Sequence, residues 1–295
     1  MFDTARSLVA SVLLCTAVGA MAEPLPPVRF LLTFDDGPSL WTDSPTVAIR
    51  QQLVHNPVMP GVKALFFVQA VHKGHGGSDA GRRMMHDTCA EDHVLGLHSG
   101  SPRGHIPHPQ FSPAELAESL TVGNAAVEQQ CPGAVQFVRP PDWVYNDATL
   151  AAYQVAHIEM LQADISVNDG KIYGWSISLR RRSHLRNGLE KVAQARLAGL
   201  LPVVDGVIPV IVAFHDTNRY TAEHMTEYLQ ILAEESAGLD LPLSDKPFYA
   251  DGPSLTRAAH VRAQRQQYVC AGMALATPMT VRLGLKPGDP HKGCL

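Results

Sequence analysis

Short apolar segments alternate with longer segments of helical type along most of the chain, and this alternation limits the folds that it can adopt. Six segments are predicted as strands: 28–34, 62–70, 93–99, 135–141, 159–166 and 208–216. The segments predicted as helices follow them: 46–56, 78–92, 112–131, 148–158, 184–198 and 222–238. The helix over 112–131 has a clear start, because Ser112 and Glu115 have the spacing of a capping box. The alternation predicts an α/β fold with parallel strands and crossover helices, either a barrel or a doubly wound sheet.

Polar residues of the kind used in catalysis lie at the carboxyl ends of the predicted strands. They are Asp35, Asp36, His98, Arg139, Asp164 and His215. A parallel barrel gathers its active site from the carboxyl ends of different strands. An open sheet instead binds its ligand at one switch point, usually beside a glycine-rich phosphate loop, and the sequence has no such loop. The distribution therefore favours a barrel of parallel strands in a single domain.

The first 22 residues have the pattern of a signal peptide. Arg6 gives a positive start, residues 8–20 are apolar but too few to span a bilayer, and residues 20–22 (AMA) have the form of a cleavage site. We therefore predict an exported protein, periplasmic or secreted, that is cleaved near Ala22.

The remaining chain is predicted to contain a main domain over residues 23–250 and a C-terminal extension over residues 251–295, in which residues 253–270 have a helical pattern. The net charge of −4, from 24 basic and 28 acidic residues, argues against nucleic acid as a partner. No segment after the signal peptide is long and apolar enough for a membrane helix, so we predict no stable membrane insertion.

Four cysteines remain once cleavage removes Cys15, an even number in an oxidising compartment. Three pairings are possible, and we favour the one with the shorter loops, which joins Cys89 to Cys131 and Cys270 to Cys294. Free buried thiols are the alternative.

Asp35 and Asp36 stand side by side at the end of the first strand, in LLTFDDGPSL (31–40). Neighbouring side chains of a strand point to opposite faces, so both carboxylates reach one site only where the backbone turns. Gly37-Pro38 is such a turn signal. Adjacent acids repel unless a cation lies between them or one is kept for proton transfer. The pair indicates a site of that kind, with an Asp-rich turn that caps a helix as the alternative.

Histidines cluster after the third strand, in LHSGSPRGHIPHP (97–109), where His98, His105 and His108 surround a Gly/Pro loop. Two neutral imidazoles and one carboxylate are a typical ligand set for catalytic zinc, with one position open for water or substrate. The alternative is a His-rich surface loop.

Three further positions at strand ends complete the candidate site. Arg139, in FVRPPDW (137–143), can orient a carboxylate through a bidentate pair. Asp164 follows the fifth apolar segment, and His215 follows the sixth. A buried histidine with an acidic partner is a natural proton donor near neutral pH. A surface arginine and a core histidine are the alternatives.

The ordered succession of TFDDGPS, the histidine loop, RPP, a lone Asp and a His after a hydrophobic strand resembles the polysaccharide deacetylase family, the NodB-homology carbohydrate esterases. The resemblance extends from Val28 to Ser236, and TFDDGP is its most specific motif. It implies a distorted (β/α) barrel with about seven parallel strands and a divalent metal, most often Zn²⁺.

The resemblance also implies the roles of the site residues. Asp35 would be the general base, oriented by Arg139. Asp36 and His98 would be metal ligands. The third ligand would be His105 or His108. His105 is favoured because it precedes the helix-capping Ser112 by seven residues, as in similar proteins.

On the acid side, the resemblance assigns the general acid to His215 and its tuning carboxylate to Asp164. The backbone N–H of Asp142 would help to hold the oxyanion. Ala213 stands where similar proteins usually have Leu, which would reshape the acetyl pocket.

The function that these features predict is metal-dependent removal of acetyl groups from N-acetylated sugars of a polysaccharide. The predicted partner is an acetylated polysaccharide or oligosaccharide. Two alternatives are a non-catalytic carbohydrate-binding protein on the same scaffold and an amidohydrolase of a small non-sugar amide.

Overall fold

Parallel strands alternate with helices through residues 24–133, 136–169 and 178–275, which the computed structural model describes. The strands are β1 (Val28–Asp35), β2 (Ala64–Gln69), β3 (Val94–Ser99), β4 (Phe137–Val138), β5 (Glu159–Met160), β6 (Ile165–Ser166), β7 (Ile208–His215) and β8 (Leu243–Phe248). The helices are α1 (Pro45–His55), α2 (Asp79–Ala90), α3 (Pro113–Gln130), α4 (Asp147–Val155), α5 (Arg181–Leu197), α6 (Arg219–Gly238) and α7 (Gly252–Leu275). Short 3₁₀ helices lie at His108–Gln110 and Pro141–Trp143.

The strands form one sheet in which every pair is parallel. The order β5-β4-β3-β2-β1-β7-β6 is a continuous run of seven strands, and β8 pairs additionally with β1. The sheet curls into an incomplete barrel, and the described residues contain no ladder that joins β5 to β6. The predicted distorted barrel with about seven parallel strands is therefore confirmed.

Most element positions agree with the sequence patterns, and the disagreements have local causes. The capping box of α3 is confirmed, because the Ser112 side chain accepts from the Glu115 backbone and the Glu115 side chain accepts from the Ser112 backbone. The segment 159–166 is wrong as a single strand, since β5 and β6 are separated by four residues. β8 was not predicted, because its sequence LSDKPF is polar and contains a proline.

The two faces of the sheet pack against different helices. The outer face, which includes Phe30, Leu32 and Phe34 of β1, packs against α1–α6 in one large hydrophobic cluster. The inner face of the curled sheet, which includes Leu31 of β1 and Ile211 of β7, packs against α7. The two faces follow from the alternation of side chains along each strand.

Helix α7 fits inside the curled sheet because its buried side is narrow. Leu255, Ala258, Ala259 and Ala263 are fully buried there. Small side chains let a helix approach a strand surface closely, which explains why alanine dominates this stripe. The beginning of the predicted C-terminal extension thus completes the hydrophobic core.

A disulfide bond joins Cys89 at the end of α2 to Cys131 at the end of α3, in agreement with the favoured pairing. The other predicted pair, Cys270–Cys294, includes Cys294, which lies outside the described residues, as does the predicted signal peptide. Within the described part of the chain, no helix combines the length and apolar character that crossing a bilayer requires.

The ion pair between Arg262 of α7 and Asp164 gives a test of how α7 is held. Both side chains are almost fully buried, at 4% and 7% exposure. Removing one partner of a buried pair leaves an uncompensated charge, so Arg262→Met should lower the free energy of unfolding by about 3 kcal/mol. The matched control is Arg257→Met on the same helix, whose pair with Asp205 is 56% exposed on both sides and should cost less than about 1 kcal/mol. Equal midpoints for the two variants in urea unfolding would contradict this packing.

Candidate active site

The candidate site begins at the carboxyl ends of β1 and β7, on the inner face. Leu31, Thr33 and Asp35 share one side of β1, because side chains alternate along a strand. Asp35 is the register partner of His215 on β7. Two titratable groups from distant parts of the sequence therefore lie next to each other.

Asp36 reaches the same site because the backbone turns at this residue. Its φ is +78°, in the left-handed region that few residues other than glycine adopt. The turn begins one residue earlier than the Gly37-Pro38 signal predicts. The Gln69 side-chain amide donates to the Asp36 carbonyl oxygen at 2.8 Å and holds the turn against the end of β2.

Asp36, His98 and His105 converge on one point, and each offers a ligand atom within 4.8 Å of the others. Asp36 Oδ1 lies 3.2 Å from His98 Nε2 and 3.3 Å from His105 Nε2. Asp36 Oδ1 and His98 Nε2 are both buried without a hydrogen-bond partner among the described residues. Buried polar atoms are almost always paired, so two orphaned lone-pair atoms that face one point fit a metal ion. Two imidazoles and one carboxylate are also a donor set that zinc accepts.

The orientation of His98 supports the same conclusion. Its Nδ1 lies 2.8 Å from the Arg139 carbonyl oxygen. A carbonyl oxygen can only accept, so Nδ1 carries the proton and donates it. Nε2 then faces Asp36 and His105 and is free to bind a metal, in the arrangement usual for histidine ligands.

His108, the rival third ligand, does not join this group. It is fully buried, and its Nδ1 lies 2.5 Å from the Tyr153 hydroxyl. Burial lowers the pKa of His108 to about 3. The structure therefore brings His105, and not His108, to Asp36 and His98.

Arg139 orients Asp35, as the sequence predicts, but through a single hydrogen bond. Arg139 Nη1 donates to Asp35 Oδ1 at 2.9 Å and to the Thr33 hydroxyl at 2.6 Å. The expected bidentate pair is not formed, and the Arg139 Nε–H donates to the Leu161 carbonyl oxygen at 2.9 Å. The guanidinium is fully buried, and the Phe67 ring lies 4.3 Å from it.

The prediction that Asp164 tunes His215 is wrong. Asp164 stands immediately before β6, at the amino end of that strand, where its carboxylate accepts from the Ile211 backbone N–H and pairs with Arg262. Ile211 precedes His215 by four residues, a distance of about 13 Å along a strand. Asp164 is therefore at the wrong level of the sheet to reach the imidazole.

Asp169 takes the place that the sequence analysis gave to Asp164. Its carboxylate accepts from His215 Nδ1 at 2.7 Å and from the His215 backbone N–H at 2.8 Å. Thr221 donates to the same carboxylate at 2.6 Å. The sequence holds a signal for this residue, because Ile165 and Val167 alternate after Asp164 and indicate a strand that ends before Asp169.

The charges at the site are strongly coupled. Burial disfavours the Asp36 carboxylate, but the imidazoles of His98, His215 and His105 outweigh burial and hold its pKa below its usual range. Burial also disfavours a charged His215, yet the Asp169 carboxylate raises the pKa of His215 to about 10. In this arrangement His215 carries a proton at neutral pH.

The predicted oxyanion position, Asp142, lies in the 3₁₀ helix after β4. Its φ is +55°, and that of Trp143 is +62°, so the backbone here is held in an unusual turn. The Trp143 ring packs 4.8 Å from the Arg139 guanidinium, which ties this turn to the site. The role of the Asp142 N–H stays a prediction.

Comparison with known proteins gives a family and a fold. A family model described as polysaccharide deacetylase matches residues 23–161. A search of curated proteins finds no match to the chain.

Several solved structures share the fold at low sequence identity. The chitin deacetylase from the fungal pathogen Colletotrichum lindemuthianum is 18% identical, with a TM-score of 0.55 over 76% of this chain and 91% of that chain. The Xyl-CE4 domain of a multidomain xylanase from the hindgut metagenome of Trinervitermes trinervoides is 20% identical, with a TM-score of 0.51 over 74% and 87%. A family 4 acetyl xylan esterase from Clostridium thermocellum, in complex with a cobalt ion, is also 20% identical, with a TM-score of 0.50 over 74% and 87%.

The family match covers the acid pair, the two histidines that join it and the arginine after β4. The solved structures share the overall fold that brings these residues together. Over residues 23–161, the chain therefore resembles the polysaccharide deacetylase family.

Proposed function

We propose that this protein is a metal-dependent hydrolase that removes acetyl groups from the N-acetylated sugars of a polysaccharide. The observation that carries the proposal is the geometry around Asp36, His98 and His105. This metal-ligating group is flanked by Asp35, held by Arg139, and by His215, held by Asp169. Such a set suits hydrolysis of an amide, which needs a base for water and an acid for the amine.

A divalent cation, most suitably Zn²⁺, would be held by Asp36, His98 and His105. When bound, it would supply Lewis-acid stabilisation of the carbonyl oxygen and would favour deprotonation of the attacking water. Full burial opposes a charge on His98, but Asp36 and Asp35 outweigh it and raise the pKa of this imidazole. The two carboxylates therefore favour positive charge at this point, which supports a cation site. The cobalt ion in the similar acetyl xylan esterase also supports a metal-ion site.

The proton-transfer steps are assigned to residues of this chain. Asp35 accepts a proton from the water that attacks the acetamide carbonyl carbon, and Arg139 holds the carboxylate in place. The Asp142 backbone N–H donates to the developing oxyanion. His215 donates its proton to the departing amine nitrogen as the C–N bond breaks, which gives acetate and a free amino sugar. Asp169 keeps that proton on His215 until it is needed.

The rival functions are less well supported. A non-catalytic carbohydrate-binding protein has no need for a base, an acid and their partners, yet this chain keeps Asp35, His215, Arg139 and Asp169 in contact pairs. An amidohydrolase of a small non-sugar amide would use the same chemistry, and a family of polysaccharide deacetylases favours the sugar substrate. Export through the predicted signal peptide would bring the enzyme to such a polymer, and the Cys89–Cys131 bond suits an oxidising compartment.

Substitution of Asp35 separates catalysis from metal binding. Asp35→Asn keeps the shape of the side chain but removes the base, so acetate release from an acetylated glycan should fall by about 10²–10⁴-fold. Zinc content should stay near that of the wild type, because Asp35 is not in the ligand group. His98→Ala should lose both activity and zinc. Normal turnover by Asp35→Asn would overturn the assignment of the base.

A pair of histidine variants tests the third ligand. His105→Gln should weaken zinc binding, measured by calorimetry, because it removes one of three ligands. His108→Gln should bind zinc within a few fold of the wild type but melt at a lower temperature, because it disturbs the buried contact with Tyr153. If His108→Gln lost the metal and His105→Gln kept it, the ligand set would be wrong.

The proton on His215 depends on Asp169, and the two aspartates of this region can be compared directly. In Asp169→Asn the pKa of His215, followed by NMR titration, should fall from about 10 toward the ordinary value near 6.5. Asp164→Asn should leave it unchanged. Since the folded-state pKa is raised, the stabilisation by His215 is complete below about pH 6.5 and is lost as pH rises through about 10. Asp169→Asn should remove this alkaline loss from the pH profile of unfolding, and a profile that kept it would contradict the pairing.

A further inference from the structure

Asp216 follows His215 at the end of β7 and has no part in the proposed chemistry. Its side chain and backbone are nevertheless held by hydrogen bonds. It is almost fully buried. Its Oδ2 accepts from the Thr46 hydroxyl at 2.8 Å, and its backbone N–H donates to the Asp35 carbonyl oxygen at 3.2 Å. Its Oδ1 is buried without a hydrogen-bond partner among the described residues. A buried carboxyl that is anchored on one oxygen and unpaired on the other needs an explanation.

The carboxyl of Asp216 fills the space where a side chain at position 37 would begin. A Cβ added to Gly37 would lie 2.1 Å from Asp216 Oδ2 and 2.4 Å from Oδ1. The φ of Gly37 lies outside the left-handed range, so the backbone alone does not require glycine here. Gly37 is therefore required because Asp216 occupies the adjoining space.

The turn that contains Gly37 cannot easily move away from Asp216, because it is held from the opposite side. The Gln69 backbone N–H donates to the Gly37 carbonyl oxygen at 2.9 Å, and the Gln69 side chain donates to the Asp36 carbonyl oxygen at 2.8 Å. His75 Nδ1 lies 2.9 Å from the Pro38 carbonyl oxygen and donates to it. The turn lies between these donors and the Asp216 carboxyl.

We propose that Asp216 is a positioning residue for the metal centre, and that its carboxyl and Gly37 form a steric interlock that fixes the turn carrying Asp36. The proposal rests on the proposed function in so far as Asp36 is a metal ligand. Thr46 supplies the anchor that keeps the carboxyl in place. Positioning groups behind a ligand typically change metal affinity by about 10–100-fold.

A double-mutant cycle tests the interlock, with zinc affinity by calorimetry and the melting temperature as its two measurements. Gly37→Ala should weaken zinc binding by about tenfold or more and lower the melting temperature by about 3–10 °C, because the new Cβ collides with the carboxyl. In Asp216→Ala the space is free, so adding Gly37→Ala should cost little further in either measurement. Asp216→Ala alone should weaken zinc binding because the turn loses its support, and Gly37→Ala/Asp216→Ala should bind zinc nearly as well as Asp216→Ala alone.

Asp216→Asn is the matched control, because it keeps the shape of the side chain. Asp216→Asn alone should bind zinc nearly as well as the wild type, and Gly37→Ala should cost as much in this background as in the wild type. This would show that the shape of residue 216, and not its charge, sets the interlock.

The outcomes separate this proposal from the proposed function. Equal costs of Gly37→Ala in the wild-type and Asp216→Ala backgrounds would overturn the interlock, as would a failure of both Gly37→Ala proteins to fold. If Gly37→Ala alone fails to fold and the double variant folds, the interlock is supported. A wild-type protein that binds no zinc but shows the coupling in melting temperature would sink the metal centre and leave the interlock standing.

Discussion

The rest of the site depends on the ion pair and hydrogen bonds made by the buried guanidinium of Arg139. A charge in the core is costly unless it is paired and hydrogen-bonded. Here it is paired with Asp35 and bonded to Thr33 and Leu161. The same residue accepts a hydrogen bond from His98 through its backbone carbonyl oxygen. One residue thus fixes both the proposed base and the tautomer of a proposed metal ligand.

This double attachment gives the site two halves with different electrostatics. On one side, Asp36 and His98 converge beside His105 with buried ligand atoms that lack a hydrogen-bond partner among the described residues, which is favourable only when a cation is near. On the other side, the Asp169 carboxylate accepts three hydrogen bonds, two from His215 and one from Thr221. Its negative charge stabilises the protonated form of His215. The two halves meet at Asp35, the register partner of His215.

The sequence predicts features that depend on neighbouring residues. It does not predict features that depend on the height at which a residue lies along the strands of the sheet. The strand that ends at Asp35 and the capping box at Ser112 depend only on neighbouring residues, and both were predicted. Asp164 and Asp169 are the same type of residue and lie five positions apart. Only the parallel pairing of β6 with β7 shows that the first lies about 13 Å below His215 and the second beside it. Asp216 could not be predicted as a positioning residue either, because its importance comes from the space beside Gly37.

The inner face of the sheet explains why the site is confined to one end of the incomplete barrel. Side-chain alternation places Leu31, Thr33 and Asp35 in a row on this face, from the core to the catalytic end. Helix α7 covers the apolar part of the row, and Arg139 covers Thr33 and Asp35. A helix with larger side chains than the alanines of α7 would be pushed away from this face, and water could then enter the apolar layer next to Arg139. Weaker burial would in turn weaken the pairing of Arg139 with Asp35, since a charge pair gains strength from a low dielectric. The small residues of a helix far from the chemistry thus contribute to the orientation of the proposed base.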